Sequence, residues 1–329
     1  MEYTTLGNTG VSVSRLCLGT ARFGRELTSD RSNRLPEPII GRDDARALLD
    51  AAHDKGINFI DTANTYGRPH EGRAERWIGE WLAEHDRDEF VIASKVWGDM
   101  SDAPNDRGSS RTHIRNAIEG TLSRLGTDYL DVYYLHRWDD STPIRETLST
   151  LHELVSNGTV RYLGISTAAA WRLVKALWTS DAHGFEPFRV TQPKYNAVER
   201  DRPAEYLDVC ADQDLAVCPY SPLAGGFLTG KYERSGTLPE ESRGQRDGWT
   251  DRFGDEDWTV LETIRSIARE TGSTPLQVAI RWLIDHDRFD VVPVIGPRTV
   301  DQLDGNVGAL DVTLSADQWT RITEARRVD

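Results

Sequence analysis

Asp61, Tyr66, Lys95 and His136 are the residues whose types and positions could do chemistry together. Asp61 ends the apolar run Ile57-Asn-Phe-Ile60, Lys95 ends Phe90-Val-Ile-Ala-Ser94, and His136 ends Leu130-Asp-Val-Tyr-Tyr-Leu135. Tyr66 lies one turn past Asp61, in Asp61-Thr-Ala-Asn-Thr-Tyr66-Gly67. A phenol is a weak acid, with a pKa of about 10, but a neighbouring ammonium stabilises the phenolate and lowers that value. Lys95 is expected to supply this charge and Asp61 to hold Lys95 by an ion pair. His136 is placed to hydrogen-bond the same substrate oxygen. The set predicts a general acid for a developing alkoxide. An alkoxide forms when hydride adds to a carbonyl, and hydride calls for a nicotinamide cofactor. Each residue alone has an ordinary role: a helix cap for Asp61, a packed aromatic for Tyr66, a solvated lysine for Lys95, a loop hydrogen bond for His136. Their joint occurrence at strand ends, in order, is what points to a site.

The elements that must position them alternate along the chain. Strands are predicted at 13–18, 57–60, 90–94, 130–135, 160–165, 188–191, 215–218 and 290–294. Helices are predicted at 43–53, 71–84, 111–125, 143–156, 168–179, 202–212, 257–271, 274–286 and 299–309, with a last one at 315–327. Such alternation argues for a parallel sheet. The 329 residues suit a single (β/α)₈ TIM barrel spanning 1–329, whose active site lies at the C-terminal ends of the strands. A doubly wound sheet is weakened because no G-x-G-x-x-G follows the first strand. Residues 3–14 read as a hairpin around Asn8-Thr-Gly10 that plugs the barrel bottom. Residues 223–256 read as a long βα loop over the mouth.

Composition narrows the class. Hydrophobic residues make up 38% of the chain and no apolar run approaches a membrane span. The N-terminal stretch lacks signal-peptide features, so a cytoplasmic protein is expected, with no membrane partner. The net charge of −14 argues against a nucleic-acid partner. Lysine is scarce, five among 39 basic residues, and the acidic surface fits either a salt-adapted source or ordinary solubility. Cys17, Cys210 and Cys218 read as buried free thiols. No metal is expected, since His113, His136, His152 and His183 lie on different elements without paired-ligand spacing.

The segment Gly56-Ile-Asn-Phe-Ile-Asp61-Thr-Ala-Asn-Thr-Tyr66-Gly67 resembles the signature of the aldo-keto reductases, and Asp61, Tyr66, Lys95 and His136 match that family's catalytic tetrad. The resemblance runs from Leu6-Gly7 to Asn306 and is nearest to the bacterial and archaeal members related to potassium-channel β-subunits. It implies a (β/α)₈ barrel with an N-terminal hairpin and reversible, NADPH-dependent reduction of aldehydes and ketones, with NADH as a possible substitute. It further implies that Ser166 and Gln192 bind the nicotinamide carboxamide, with Thr167 where the family has Asn. Tyr220 matches the aromatic that stacks on the nicotinamide ring. The stretch Ser221-Pro-Leu-Ala-Gly-Gly-Phe-Leu-Thr-Gly230-Lys231 resembles the family's pyrophosphate-covering loop, so Ser221, Leu223, Gly225 and Lys231 join the cofactor set, together with Thr20 and Gly296. Arg298, just before predicted helix 299–309, can fork onto a ribose 2′-phosphate. Gln302 stands where many members carry a second Arg, and Asn306 matches an adenine-contacting Asn.

Phe23, Trp97, Arg137 and Trp138 are expected to rim the mouth, where aromatic walls suit apolar carbonyls or sugar-like substrates and Arg137 could attract an acidic one. A monomer or small homo-oligomer is expected. The reading from another class is a cofactor-binding regulatory subunit with slow, vestigial turnover.

Overall fold

The computed structural model describes residues 1–26, 40–200, 204–234, 239 and 249–326. Its N-terminus is a two-stranded antiparallel hairpin, β1 (Tyr3–Thr5) and β2 (Ser12–Ser14), with Thr4 opposite Val13. The predicted turn is present as a 3₁₀ turn over Gly7–Thr9 closed by Gly10 at φ 76°. The strand predicted at 13–18 is in fact two elements. Its first part belongs to the hairpin, and the barrel strand β3 (Cys17–Gly19) begins only after a corner at Arg15-Leu16, held by the Ser14 hydroxyl donating to the Leu16 carbonyl at 2.7 Å.

The remaining strands are β4 (Phe59–Asp61), β5 (Val91–Val96), β6 (Leu130–Leu135), β7 (Val160–Ser166), β8 (Phe188–Gln192), β9 (Ala216–Val217) and β10 (Val294–Ile295). They form an eight-stranded parallel sheet in the order β10-β3-β4-β5-β6-β7-β8-β9. Bridges from Val217 to Val291 and from Tyr220 to Val294 join its two edges into a (β/α)₈ barrel. The strand predicted at 290–294 is shorter and later than expected because Pro293 has no N–H to give the ladder.

Between the strands run α1 (Arg42–Asp54), α2 (Arg73–Leu82), α3 (Arg111–Leu125), α4 (Ile144–Ser156), α5 (Ala170–His183) and α6 (Ala204–Asp212). Then come α7 (Asp255–Thr271), α8 (Pro275–Ile284), α9 (Val300–Val307) and α10 (Ala316–Glu324). Thr274 with Gln277 and Ser315 with Gln318 form capping boxes that set the starts of α8 and α10. The start of predicted helix 202–212 and the end of 315–327 lie partly outside the described residues, as does much of loop 223–256. The described start of that loop is fixed. Phe227 is buried and stacks on Phe253 with ring centroids 3.8 Å apart, and Arg265 donates to the carbonyls of Gly230 and Tyr232.

Two cores result. One lies between sheet and helices. The other fills the barrel with Phe59, Val91, Ala93, Val132, Tyr134, Val190, Cys218 and Val294, and the hairpin closes its bottom with Leu6 and Val13. Gly164 belongs to the close packing of this interior, since a Cβ there would come within 2.3 Å of the Tyr134 ring. No helix among the described residues is long and apolar enough to cross a membrane.

Candidate active site

Side chains alternate across a strand, so each residue two positions beyond an inward-facing one also faces inward. Phe59 leads to Asp61, Ala93 to Lys95, Tyr134 to His136, Val190 to Gln192, Cys218 to Tyr220 and Val294 to Gly296. All of these sit at the C-terminal ends of their strands. Except for Lys95, which lies buried just beneath, they line one cavity of about 650 Å³. Tyr66 reaches it from the loop after β4.

Lys95 is fully buried. Its ammonium donates to both Asp61 oxygens, Oδ1 at 2.7 Å and Oδ2 at 2.6 Å, to the Thr62 carbonyl at 2.7 Å and to the Tyr66 hydroxyl at 3.3 Å. Burial works to lower the Lys95 pKa, but Asp61 and Tyr66 outweigh it and hold the ammonium above its ordinary value. Tyr66 runs against the sequence expectation. Burial raises its pKa, and the opposing charge of Lys95 only partly compensates, so the hydroxyl stays protonated at neutral pH. The His136 ring stands edge-on to Tyr66, with centroids 6.1 Å apart. Desolvation, then the charges of Lys95, Arg137 and Arg68, push its pKa down to about 3, so the imidazole is neutral. This arrangement can deliver one proton from Tyr66, keep a neutral N–H donor beside it, and stabilise the phenolate left behind.

Gln192 donates from Nε2 to Asp61 Oδ1 at 2.8 Å, which ties the cavity wall to the ion pair. Ser166 donates to the Gln192 carbonyl at 2.9 Å, and its hydroxyl lies 3.2 Å from that of Thr167. Thr167 adopts φ 50°, a left-handed conformation that a β-branched residue rarely takes. Asn tolerates that region, so Thr167→Asn is expected to stabilise the protein by about 1 kcal/mol. A rise in the urea midpoint at unchanged slope is the check. Across the mouth, Ser221, Leu223, Gly225 and Gly226 form a wall in which both glycines have positive φ, 67° and 100°. Arg298, Gln302 and Asn306 close the far end. Gln302 accepts from the Arg298 backbone N–H at 3.0 Å, so it braces the loop ahead of α9. Desolvation and the charges of Arg298 and Arg22 lower the pKa of Lys231.

Besides Lys95, four residues expected at the site, Thr20, Phe23, Trp97 and Trp138, are not among those lining the cavity. Thr20 is buried, and its hydroxyl donates to the Asp61 carbonyl at 3.0 Å, so it fixes the backbone behind the site. Phe23 is in the core between sheet and helices, because the chain turns back after β3, with the Phe23 N–H donating to the Thr20 carbonyl. Trp138 is half-buried and packs against the core between sheet and helices, 6.3 Å from Trp171 and under the Arg172 guanidinium. Trp97 supports Arg137, whose guanidinium lies 5.4 Å from its ring centroid, and Arg137 itself lines the cavity. Arg22, Thr229 and Leu276 are lining residues that the sequence reading missed. Arg22 follows the end of β3, so the strand-end rule could have found it. Leu276 comes from the first turn of α8, and no local signal marks it.

Residues 15–327 match the model of the Aldo/keto reductase family. The chain is 37% identical over 321 residues to the Uncharacterized oxidoreductase YrpG of Bacillus subtilis, covering 95% of this chain and 92% of that protein. It is 34% identical over 327 residues to the Norsolorinic acid reductase stcV of Emericella nidulans, covering 96% and 79%. It is 32% identical over 321 residues to a Probable voltage-gated potassium channel subunit beta of Oryza sativa, covering 95% and 92%.

Proposed function

The chain belongs to the aldo/keto reductase family and is an oxidoreductase acting on carbonyl groups; from that premise we propose that it reduces a small aldehyde or ketone with NADPH, Tyr66 supplying the proton. The observation that carries this reading is the buried Lys95 ammonium, bonded at once to Asp61 and to the Tyr66 hydroxyl, at the base of an open cavity.

The cavity residues fit a phosphorylated dinucleotide. Asn306 Oδ1 is buried without a hydrogen-bond partner, as an acceptor for an adenine amine would be. Among the described residues Lys231 and Arg298 carry no ion pair, which leaves their charges for phosphate. A Cβ at Gly296 would meet nothing, so the backbone there is open to a ligand. When bound, NADPH supplies the hydride that adds to the carbonyl carbon. Tyr66 gives its phenolic proton to the carbonyl oxygen, neutral His136 donates a hydrogen bond that orients that oxygen, and Lys95 stabilises the resulting phenolate. Asp61, held by Lys95 and Gln192, keeps the ammonium in place. The raised pKa of Tyr66 suits it to the acid role, because a deprotonated residue has no proton to give.

The likeness to potassium channel β-subunits supports a second reading, a cofactor-binding regulatory subunit with slow turnover. NADPH oxidation followed with a panel of aldehydes separates the two. Turnover that depends on Tyr66 supports the reductase, and no turnover with any aldehyde supports the regulatory subunit. Arg298→Ala is expected to raise the KM for NADPH by about 10-fold or more, as loss of a charge-assisted hydrogen bond implies. The KM for NADH is expected to change far less, and equal effects on the two would rule out a 2′-phosphate contact at Arg298.

A further inference from the structure

The charged wall of the cavity is unlike the rest of the molecule. In a chain of net charge −14, the described residues of this wall include Arg22, Arg137, Lys231 and Arg298 and one carboxylate, Asp61, which Lys95 already neutralises. These cations lie in two places. Arg22 and Arg298 both act on the Lys231 ammonium, so these three share one end. Arg137 acts on the His136 imidazole, at the proton-transfer end. The phosphates of a dinucleotide account for the first three but not for Arg137.

The other cations around Arg137 are paired. Arg68 lies 3.6 Å from Glu71, Arg107 lies 3.3 Å from Asp99, and Arg172 lies 2.6 Å from Asp140. Among the described residues no carboxylate pairs with Arg137. Its guanidinium is held over the Trp97 ring, a contact that keeps the charge in place without neutralising it. A planar guanidinium presents paired N–H donors that match a carboxylate. One guanidinium without a carboxylate partner balances a monoanion such as a carboxylate.

We propose that Arg137 selects carbonyl substrates that carry a carboxylate a few bonds from the reacting carbon, an aldehyde or keto acid. This deepens the reductase reading and rests on it. Tyr66 and His136 take the carbonyl oxygen, and Arg137 takes the acid group, so the two contacts fix the carbonyl between them. The cationic wall would also draw such anions from solution in a salt-dependent way.

The test compares 4-oxobutanoate with its methyl ester, which keeps the carbonyl and removes the charge. The wild type is expected to show the higher kcat/KM for the acid, and that preference should shrink as salt is added. In Arg137→Gln the acid-to-ester ratio of kcat/KM is expected to fall by about tenfold, with Arg137→Lys keeping part of it. A wild-type ratio near one, or a ratio unmoved in Arg137→Gln, overturns the proposal. If the wild type turns over neither compound, the aldehyde panel decides the reductase reading separately. Calorimetric titration of succinate into the NADP-loaded protein then decides the role of Arg137. Weaker binding in Arg137→Gln supports the anion site, and equal binding overturns it.

Discussion

Tyr66→Phe is expected to lower kcat for aldehyde reduction by about 10²- to 10⁴-fold, the range for removing a positioned general acid. The ring remains, so the cavity keeps its shape, and NADPH affinity measured by fluorescence titration should stay within about twofold, well below the tenfold that 1.4 kcal/mol represents. What is lost is the proton and the acceptor of the Lys95 contact at 3.3 Å. His136 cannot replace that proton source as an acid, because its pKa near 3 leaves it neutral at working pH, and transfer from a neutral imidazole is far less favourable. The pH profile gives a second readout. With Tyr66 protonated through the neutral range and His136 titrating only near 3, kcat in the reductive direction should be flat from about pH 5 to 8, with no inflection at the ordinary histidine value of about 6.5. A kcat in Tyr66→Phe within threefold of wild type would remove Tyr66 from the mechanism.

Asp61→Asn is expected to cost about 3–5 kcal/mol of folding stability, because it strands a buried charge. Asp61 is 2% exposed and Lys95 is fully buried, so water cannot replace the lost carboxylate. The ammonium would keep neutral acceptors, the Thr62 carbonyl, the Tyr66 hydroxyl and the amide oxygen introduced at position 61, but no counter-charge. Activity should fall with stability, since the same charge stabilises the Tyr66 phenolate. The double variant Asp61→Leu with Lys95→Met separates the two effects. Replacing both partners by apolar groups is often neutral or stabilising, so most of the stability should return while turnover stays absent. Urea denaturation of the three proteins checks this. A loss below about 1 kcal/mol in Asp61→Asn would mean that the pair is solvated and worth no more than a surface ion pair.

Much of the site is legible in the order of residues because a β-strand has a period of two. Once Phe59, Ala93 and Tyr134 face the barrel interior, Asp61, Lys95 and His136 must face it too, one layer higher. The same rule carries Gln192, Tyr220 and Gly296. The signature around Tyr66 then identifies the family that 313 matched residues, 15 to 327, bear out. The rule is weaker where strands are short. At Arg15-Leu16 the apolar run continues through a corner, so the alternation reads straight across the join between hairpin and barrel. At Pro293 an apolar run continues through a residue that accepts from the Cys17 N–H but cannot donate to the ladder.

Side chains beyond the strand ends obey no such period. Phe23, Trp97, Arg137 and Trp138 all follow strands closely, yet Phe23 is folded into the core, Trp138 packs against that core beside Trp171, and of the four only Arg137 reaches the cavity wall, braced on Trp97. Loop conformation decides among them, and it depends on contacts distant in the chain. The order of residues was enough for the barrel, the family and the gathering of Asp61, Lys95 and His136 at one end of the strands, because periodicity and motif are local properties. Only the folded chain shows that Tyr66 is held protonated, that Gln192 braces Asp61, and that no carboxylate among the described residues pairs with Arg137, because burial and pairing depend on what the rest of the chain brings within a few ångströms.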